Sequence, residues 1–155
     1  MTRKWIYPVL LTGLFILLFQ LSLPAGCVYG STTDWLSQHT ALAETIRTAM
    51  REQHTLLPTW LSLGGGSNGF QFSYYGYLRP DILIGCLLPS VPMYRIVIAY
   101  ALGGYLASVL LFYLLLRRHG LSGFDAFMGS ALFLTASCFF HTHRQLMFVN
   151  YMPFL

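Results

Sequence analysis

The residues of this sequence best suited to chemistry begin at Asp34, with Gln38 one helical turn further on and His39 next to it. A carboxylate so placed at a membrane surface can act as a general base. It can instead hold a divalent cation such as Mg or Mn. Gln38 shares the helical face of Asp34, whereas His39 points elsewhere on an ideal helix. Asp34 also suits a plainer task, because an Asp at a helix start satisfies free backbone N–H groups. Residue pattern by itself favours that cap.

The other candidates are cationic. Arg79, Arg95 and Arg144 are spread along the chain, the last beside His141 and His143. Arginine can grip a phosphate with two parallel hydrogen bonds, and it equally snorkels at a membrane interface. His141 and His143 are two residues apart and do not share a helical face, a weak metal signal. An anionic lipid head group is the sharper reading of that cluster. Gly64-Gly65-Gly66-Ser67-Asn68-Gly69 lacks the Gly-Lys-Ser/Thr of a Walker loop and the strand–helix setting of a dinucleotide fingerprint. Its backbone N–H groups could cup an anion, but a permissive turn is the simpler account. No GxSxG or HExxH occurs. Cys27, Cys86 and Cys138 show no metal spacing. A Cys27–Cys86 disulfide is conceivable, and unpaired thiols are favoured.

Composition says what must position these groups. Of 155 residues, 55% are hydrophobic and only 9% charged, too few charges to solvate a soluble surface. Mean hydropathy is +0.58. Residues 5–23 form an uncharged run near the length needed to span a bilayer. The run exceeds a signal-peptide core, so it reads as an uncleaved anchor. Residues 24–92 form a long, mixed loop. Within it, 34–53 reads as an amphipathic helix with an apolar stripe of Trp35, Leu42, Ile46 and Met50, and with Glu44, Arg47, Arg51 and Glu52 mostly off it. Phe72, Tyr74, Tyr75 and Tyr77 suit an interface. The apolar stretch 82–88 is too short to span and fits a re-entrant or interfacial segment.

Residues 93–116 form a second span, in which Gly103-Gly104 and Ala107-Ser108 offer small faces for packing. Residues 124–140 form a third, and 146–155 start a fourth. The expected fold class is an all-α membrane protein: about three transmembrane helices plus a truncated fourth, with a large extracytoplasmic first loop containing an amphipathic helix. The whole of 1–155 then forms the N-terminal part of one polytopic membrane domain. The pairs Arg3-Lys4 and Arg117-Arg118 flank spans and mark the cytoplasmic side, the N-terminus included. The net charge of +4 is scattered, so nucleic acid is not an expected partner.

The order of these features resembles the N-terminal part of the YfhO-type bacterial membrane proteins. The resemblance rests on Thr33-Asp34-Trp35-Leu36-Ser37-Gln38-His39, then Ser62-Leu63-Gly64-Gly65-Gly66-Ser67-Asn68-Gly69, then Phe72-Ser73-Tyr74-Tyr75-Gly76-Tyr77-Leu78. Such proteins are similar to the glycosyltransferase C superfamily, multi-span enzymes that use polyprenyl-phosphate-linked sugars. The resemblance implies a membrane lipid environment in the bacterial cytoplasmic membrane, a polyprenyl-phosphate sugar donor and an envelope polymer as acceptor. It makes Asp34 the catalytic carboxylate or a ligand of a divalent cation. Gln38, His39, Arg79 and Arg144 become candidates for substrate binding. His39 stands where the family usually has an aromatic residue, and Arg79-Pro80-Asp81 where it usually has Ser-Pro-Phe. Family members are several times longer, so the chain is expected to be a fragment, a truncated product or a degenerate copy. The alternative is a non-enzymatic, membrane-embedded structural or lipid-binding protein.

The orientation has a direct check. With Cys27, Cys86 and Cys138 replaced by Ser, an impermeant thiol reagent added to intact cells is expected to label Ser67→Cys and to spare Gly120→Cys, and the reverse pattern would overturn the topology.

Overall fold

The structure, a computed structural model, describes residues 5–23, 25–26, 29–30, 35–75 and 77–136. Asp34, the His141–His143–Arg144 cluster, Cys27, Cys138 and the expected fourth segment lie outside the described residues. What is described is mostly helical. The chain divides into two compact units, Met1–Tyr29 with Ala101–Leu155, and Gly30–Tyr100.

In the first unit, helix α1 (Ile6–Ser22) buries Leu11, Phe15 and Phe19, a stripe spaced by four residues. Helix α4 (Met93–Arg118) contributes Ala101, Tyr105, Val109 and Tyr113 at the same spacing. Tyr105 is 0% exposed. Phe15 and Phe19 meet its ring edge-on, at centroid distances of 5.6 and 5.9 Å. Its hydroxyl donates to the carbonyl of Leu134 at 2.6 Å. That carbonyl belongs to the last turn of helix α5 (Gly123–Thr135), where no intrahelical donor remains for it. One side chain thus fills the core with its ring and satisfies a helix end with its hydroxyl.

Helix α5 begins at Ser122, whose Oγ accepts from the Asp125 N–H at 3.1 Å while the hydroxyl donates to the Asp125 carboxylate at 2.5 Å. This reciprocal cap ties down the helix start. Glycine is required twice along α5. A Cβ on Gly123 would come within 2.7 Å of the Tyr7 ring, and one on Gly129 within 2.8 Å of Leu116 Cδ1.

Helix α4, with 26 residues, is long and apolar enough to cross a bilayer. Helices α1 and α5 are apolar but shorter, at 17 and 13 residues, about 25 and 20 Å of rise. The third expected span differs from observation in that α5 stops at Thr135, with Ala136 extended at φ −61° and ψ 123°. The Thr135 hydroxyl donates back to the carbonyls of Ala131 and Leu132, at 3.0 and 3.3 Å, a local bond that competes with the helical ladder. The small face expected on α4 is used only in part. Ser108 is buried, bonded to its own Gly104 carbonyl at 2.8 Å, whereas Gly103 faces open space.

The second unit starts with a π-helical turn, Trp35–Thr40, that runs into helix α2 (Ala41–Glu52). The Thr40 hydroxyl reaches the carbonyl of Trp35, five residues back, at 3.1 Å. The wider turn inserts one residue into the helical phase. The buried stripe is therefore Trp35, Ala43, Ile46 and Met50, and Leu42, expected on it, is half-exposed. Trp35 lies over Gly30, where a Cβ would enter the indole ring.

Arg47, expected off the stripe, is 5% exposed. It lies under the end of helix α3 (Pro80–Leu87). Its Nη1 donates to the carbonyl of Val91 at 2.8 Å, with Gly85 and Leu88 carbonyls at 3.4 and 3.5 Å. Its Nε and Nη2 both donate to Glu44 Oε1, at 3.1 and 2.5 Å. Glu44 Oε2 in turn accepts from the N–H of Met93 at 3.2 Å, at the start of α4. A cation at one helix end and a carboxylate at the next oppose both terminal dipoles. Gly85 makes room for this, since a Cβ there would meet Met93 Sδ at 2.6 Å and Arg47 Cδ at 3.1 Å.

Between α2 and α3 the chain forms a small hairpin. Strands β1 (Trp60–Leu61) and β2 (Ser67–Asn68) pair antiparallel, with Trp60 opposite Asn68 and Leu61 opposite Ser67. Gly64, Gly65 and Gly66 take φ of 57°, 93° and 111° in its loop, which other residues adopt at a cost. The Gln53 side chain anchors the hairpin to the end of α2, donating to the Trp60 carbonyl at 2.8 Å and accepting from the Thr59 N–H at 3.0 Å. A 3-10 helix, Gly69–Tyr75, follows. Cys86 is a free thiol, 3.9 Å from Met50 Sδ.

Arg47→Met is expected to destabilise the folded chain by about 2 kcal/mol or more, since it strips charged donors from buried carbonyls. Arg47→Lys should lose less, because it keeps the charge, but not recover wild type, because a point charge cannot fork between Glu44 and Val91. Unfolding midpoints in detergent measure both, and equal midpoints for wild type and Arg47→Met would refute the role.

Candidate functional site

Three candidate site residues converge on a fourth, Tyr75, that the sequence marked only as an interfacial aromatic. The π-helical turn carries Gln38 and His39 and aims both at Tyr75 of the 3-10 helix. Tyr75 donates its hydroxyl to Gln38 Oε1 at 2.7 Å. The imidazole of His39, 6% exposed, lies between the Trp35 and Tyr75 rings at centroid distances of 6.1 and 6.4 Å. The backbone carbonyl of Tyr75 accepts from Arg79 Nη1 at 3.0 Å. An ideal α-helix would separate Gln38 and His39 by about 100°.

Arg79 does not stand as an open cation. Its Nε and Nη2 grip Asp81 Oδ1 and Oδ2 at 2.7 and 2.8 Å, a bidentate pair. Asp81 is 0% exposed, and the Arg79 side chain 9%. An incoming phosphate would meet a guanidinium already neutralised, with one N–H remaining on each Nη. Local sequence explains the placement. Arg79 precedes Pro80 and is held extended, at φ −64° and ψ 130°. Pro80 opens α3, and Asp81 falls in its first turn, where negative charge is favoured.

The tyrosine segment is pinned from below. Tyr77 donates its hydroxyl to the carbonyl of Pro58 at 2.9 Å. Burial pushes the Tyr77 phenol above its usual value, which keeps it a donor. Gly69 passes beneath it, where a Cβ would collide with the Tyr77 hydroxyl and the Pro58 carbonyl. The Gly69 N–H bonds the Thr59 carbonyl at 2.8 Å, and Asn68 Oδ1 caps the Phe70 N–H at 3.0 Å. The glycine run therefore serves the hairpin that presents Tyr75. Among the described residues no group of three or more His, Cys, Asp or Glu side chains could hold a metal ion. Asp34, the residue just before the π-turn, and Arg144 lie outside the described residues. Tyr75 and Asp81 are the site residues that sequence reasoning missed. The available signal was the motifs themselves, since Gln38 and Tyr75 belong to two of the three stretches on which the resemblance rests.

Comparison with family models, with curated proteins and with solved structures finds no match for the chain.

Tyr75→Phe and Gln38→Leu are each expected to cost about 1 kcal/mol of stability. The double variant should cost less than their sum, because one bond is lost in all three. Strict additivity in detergent unfolding would mean that the two side chains do not interact.

Proposed function

We propose that the chain is part of a bacterial membrane glycosyltransferase. It moves a sugar from a polyprenyl-phosphate carrier to an envelope acceptor on the outer face of the cytoplasmic membrane. The observation that carries this reading is the Tyr75–Gln38 hydrogen bond of 2.7 Å. It joins the Asp34–Gln38 stretch to the glycine–tyrosine stretch, the two sequence features from which the resemblance to YfhO-type proteins starts. In this reading α4 spans the bilayer with Arg117-Arg118 on the cytoplasmic side, and α1 and α5 complete the membrane part. The exposed apolar side chains of α1 and α5 support it, Leu21 at 75% and Leu132 at 68% among them, since water does not favour such surfaces in number.

Asp34 then serves as the general base for the acceptor hydroxyl, or holds a divalent cation against the donor phosphate. Gln38 and His39, set by Tyr75, border the sugar. Arg79 keeps Tyr75 in place through its carbonyl. The second reading is a membrane-embedded, lipid-binding protein without catalysis, with Asp34 as a helix cap. The Arg79–Asp81 pair favours it, because it removes one cation from phosphate binding.

Asp34→Asn separates the two readings. Asn caps a helix as well as Asp but accepts no proton. The glycosyltransferase reading expects sugar transfer to fall by about 100-fold or more with normal membrane levels of the variant protein. Transfer that survives Asp34→Asn while Asp34→Ala lowers stability would make the residue a cap.

A further inference from the structure

Helix α3, the turn after it and the first turns of α4 flank an open groove of about 360 Å³ within the second unit. Ile84 and Leu88 form one wall, one helical turn apart. Ile96, Ala99 and Tyr100 form the other. The lining is almost wholly apolar, and Arg95 stands at it as the single charged residue. Arg95 and Ala99 are four residues apart and so lie on one helix face. The cation therefore sits one turn nearer the start of α4 than the apolar floor.

Arg95 is exposed and has no counter-charge among the described residues. Two ion pairs occur among the described residues, Arg47 with Glu44 and Arg79 with Asp81. The Arg95 Nε donates to the Tyr94 hydroxyl at 3.1 Å, and the guanidinium lies 5.8 Å from the Tyr94 ring centroid. These contacts hold the group in place and leave both Nη atoms without a protein acceptor among the described residues.

We propose that this groove binds an anionic phospholipid, with its phosphate on Arg95 and one acyl chain along Ile84, Leu88, Ile96 and Ala99. The order of groups matches a lipid. In a membrane-spanning α4, Arg95 lies three residues into a 26-residue helix, at the depth where head groups meet hydrocarbon, and Tyr94 suits the same level. From there the groove leads along α4 toward the bilayer centre, the direction an acyl chain takes. A guanidinium offers a phosphate two parallel N–H donors. A peptide helix would need acidic residues at one end and none beyond; an anionic lipid has that polarity built in. The site rests on the membrane reading of α4 and not on sugar transfer.

The test uses the full chain in nanodiscs of phosphatidylcholine doped with a photoactivatable phosphatidylglycerol whose reactive group lies in the acyl chain. Cross-links are expected within residues 84–100. Arg95→Gln should reduce them several-fold, Arg95→Lys less so, and Ala99→Phe should remove them by filling the groove. Ala99 is exposed, so the larger side chain should not disturb folding. Phosphatidylcholine carrying the same reactive chain should label this segment weakly. Equal labelling by both lipids, or labelling unchanged in both Arg95→Gln and Ala99→Phe, overturns the proposal. So does protein–protein cross-linking from this segment, which would mean that a second copy covers the groove. A chain that fails to enter the nanodisc, seen as no labelling around Leu114, refutes the membrane reading and this site with it. Loss of transfer in Asp34→Asn bears on neither.

Discussion

The Arg47 guanidinium joins three helices through one buried charge. It bonds Glu44 on its own helix, the carbonyls that follow α3, and, through Glu44, the first N–H of α4. Burying an arginine is unfavourable unless its donors are met by acceptors in good geometry. Here the acceptors are groups that helix ends leave open in any case. The carbonyls after α3 need donors, the N–H groups of α4 need acceptors, and the turn between the helices, Leu88 to Pro92, is too short to supply both. The Arg47–Glu44 pair answers both needs from one face of α2. The position of α3, and hence of Asp81, Arg79 and Tyr75, depends on it.

The helices were legible because apolar period and length are written locally. Residues 93–116 read as a long apolar helix, and α4 covers them. The phase of α2 was not legible. A heptad from Trp35 to Leu42 assumes a continuous α-helix, and the π-turn adds a residue that moves Ala43 into the core instead. No residue between Trp35 and Thr40 announces such a turn. Arg47 was misplaced for a related reason. An arginine in an amphipathic pattern is assigned to water unless its acceptors are known, and these lie about 40 residues away in sequence (Gly85, Leu88 and Val91). The short strands were hidden because two-residue ladders carry no alternation. The glycines marked the turn without the pairing.

Legibility of the site followed the same division. Gln38 and His39 could be picked by type and spacing, but the partner that unites them could not, because a hydrogen bond between residues 38 and 75 leaves no local trace. Arg79 was visible as a cation. Asp81 stands only two residues away, yet sequence proximity does not reveal that the two pair, that the carboxylate is fully buried or that both its oxygens are taken. Burial turned a potential ligand for phosphate into a support for Tyr75.

The acids of the chain constrain what catalysis here would require. The sequence holds five Asp and Glu residues. Glu44 and Asp81 each face an arginine inside the second unit, and Asp125 caps α5 with Ser122. Glu52 ends α2 on an exposed surface. Asp34 alone adjoins the turn that presents Gln38 and His39. On the glycosyltransferase reading, a donor phosphate would approach this carboxylate in a setting where Arg79 is already neutralised. Two negative groups at contact distance repel by about 4 kcal/mol near a protein surface. Either Asp34 stays far enough from the phosphate to act on the acceptor alone, or a divalent cation sits between them. The first arrangement makes Asp34 a base and the second makes it a ligand.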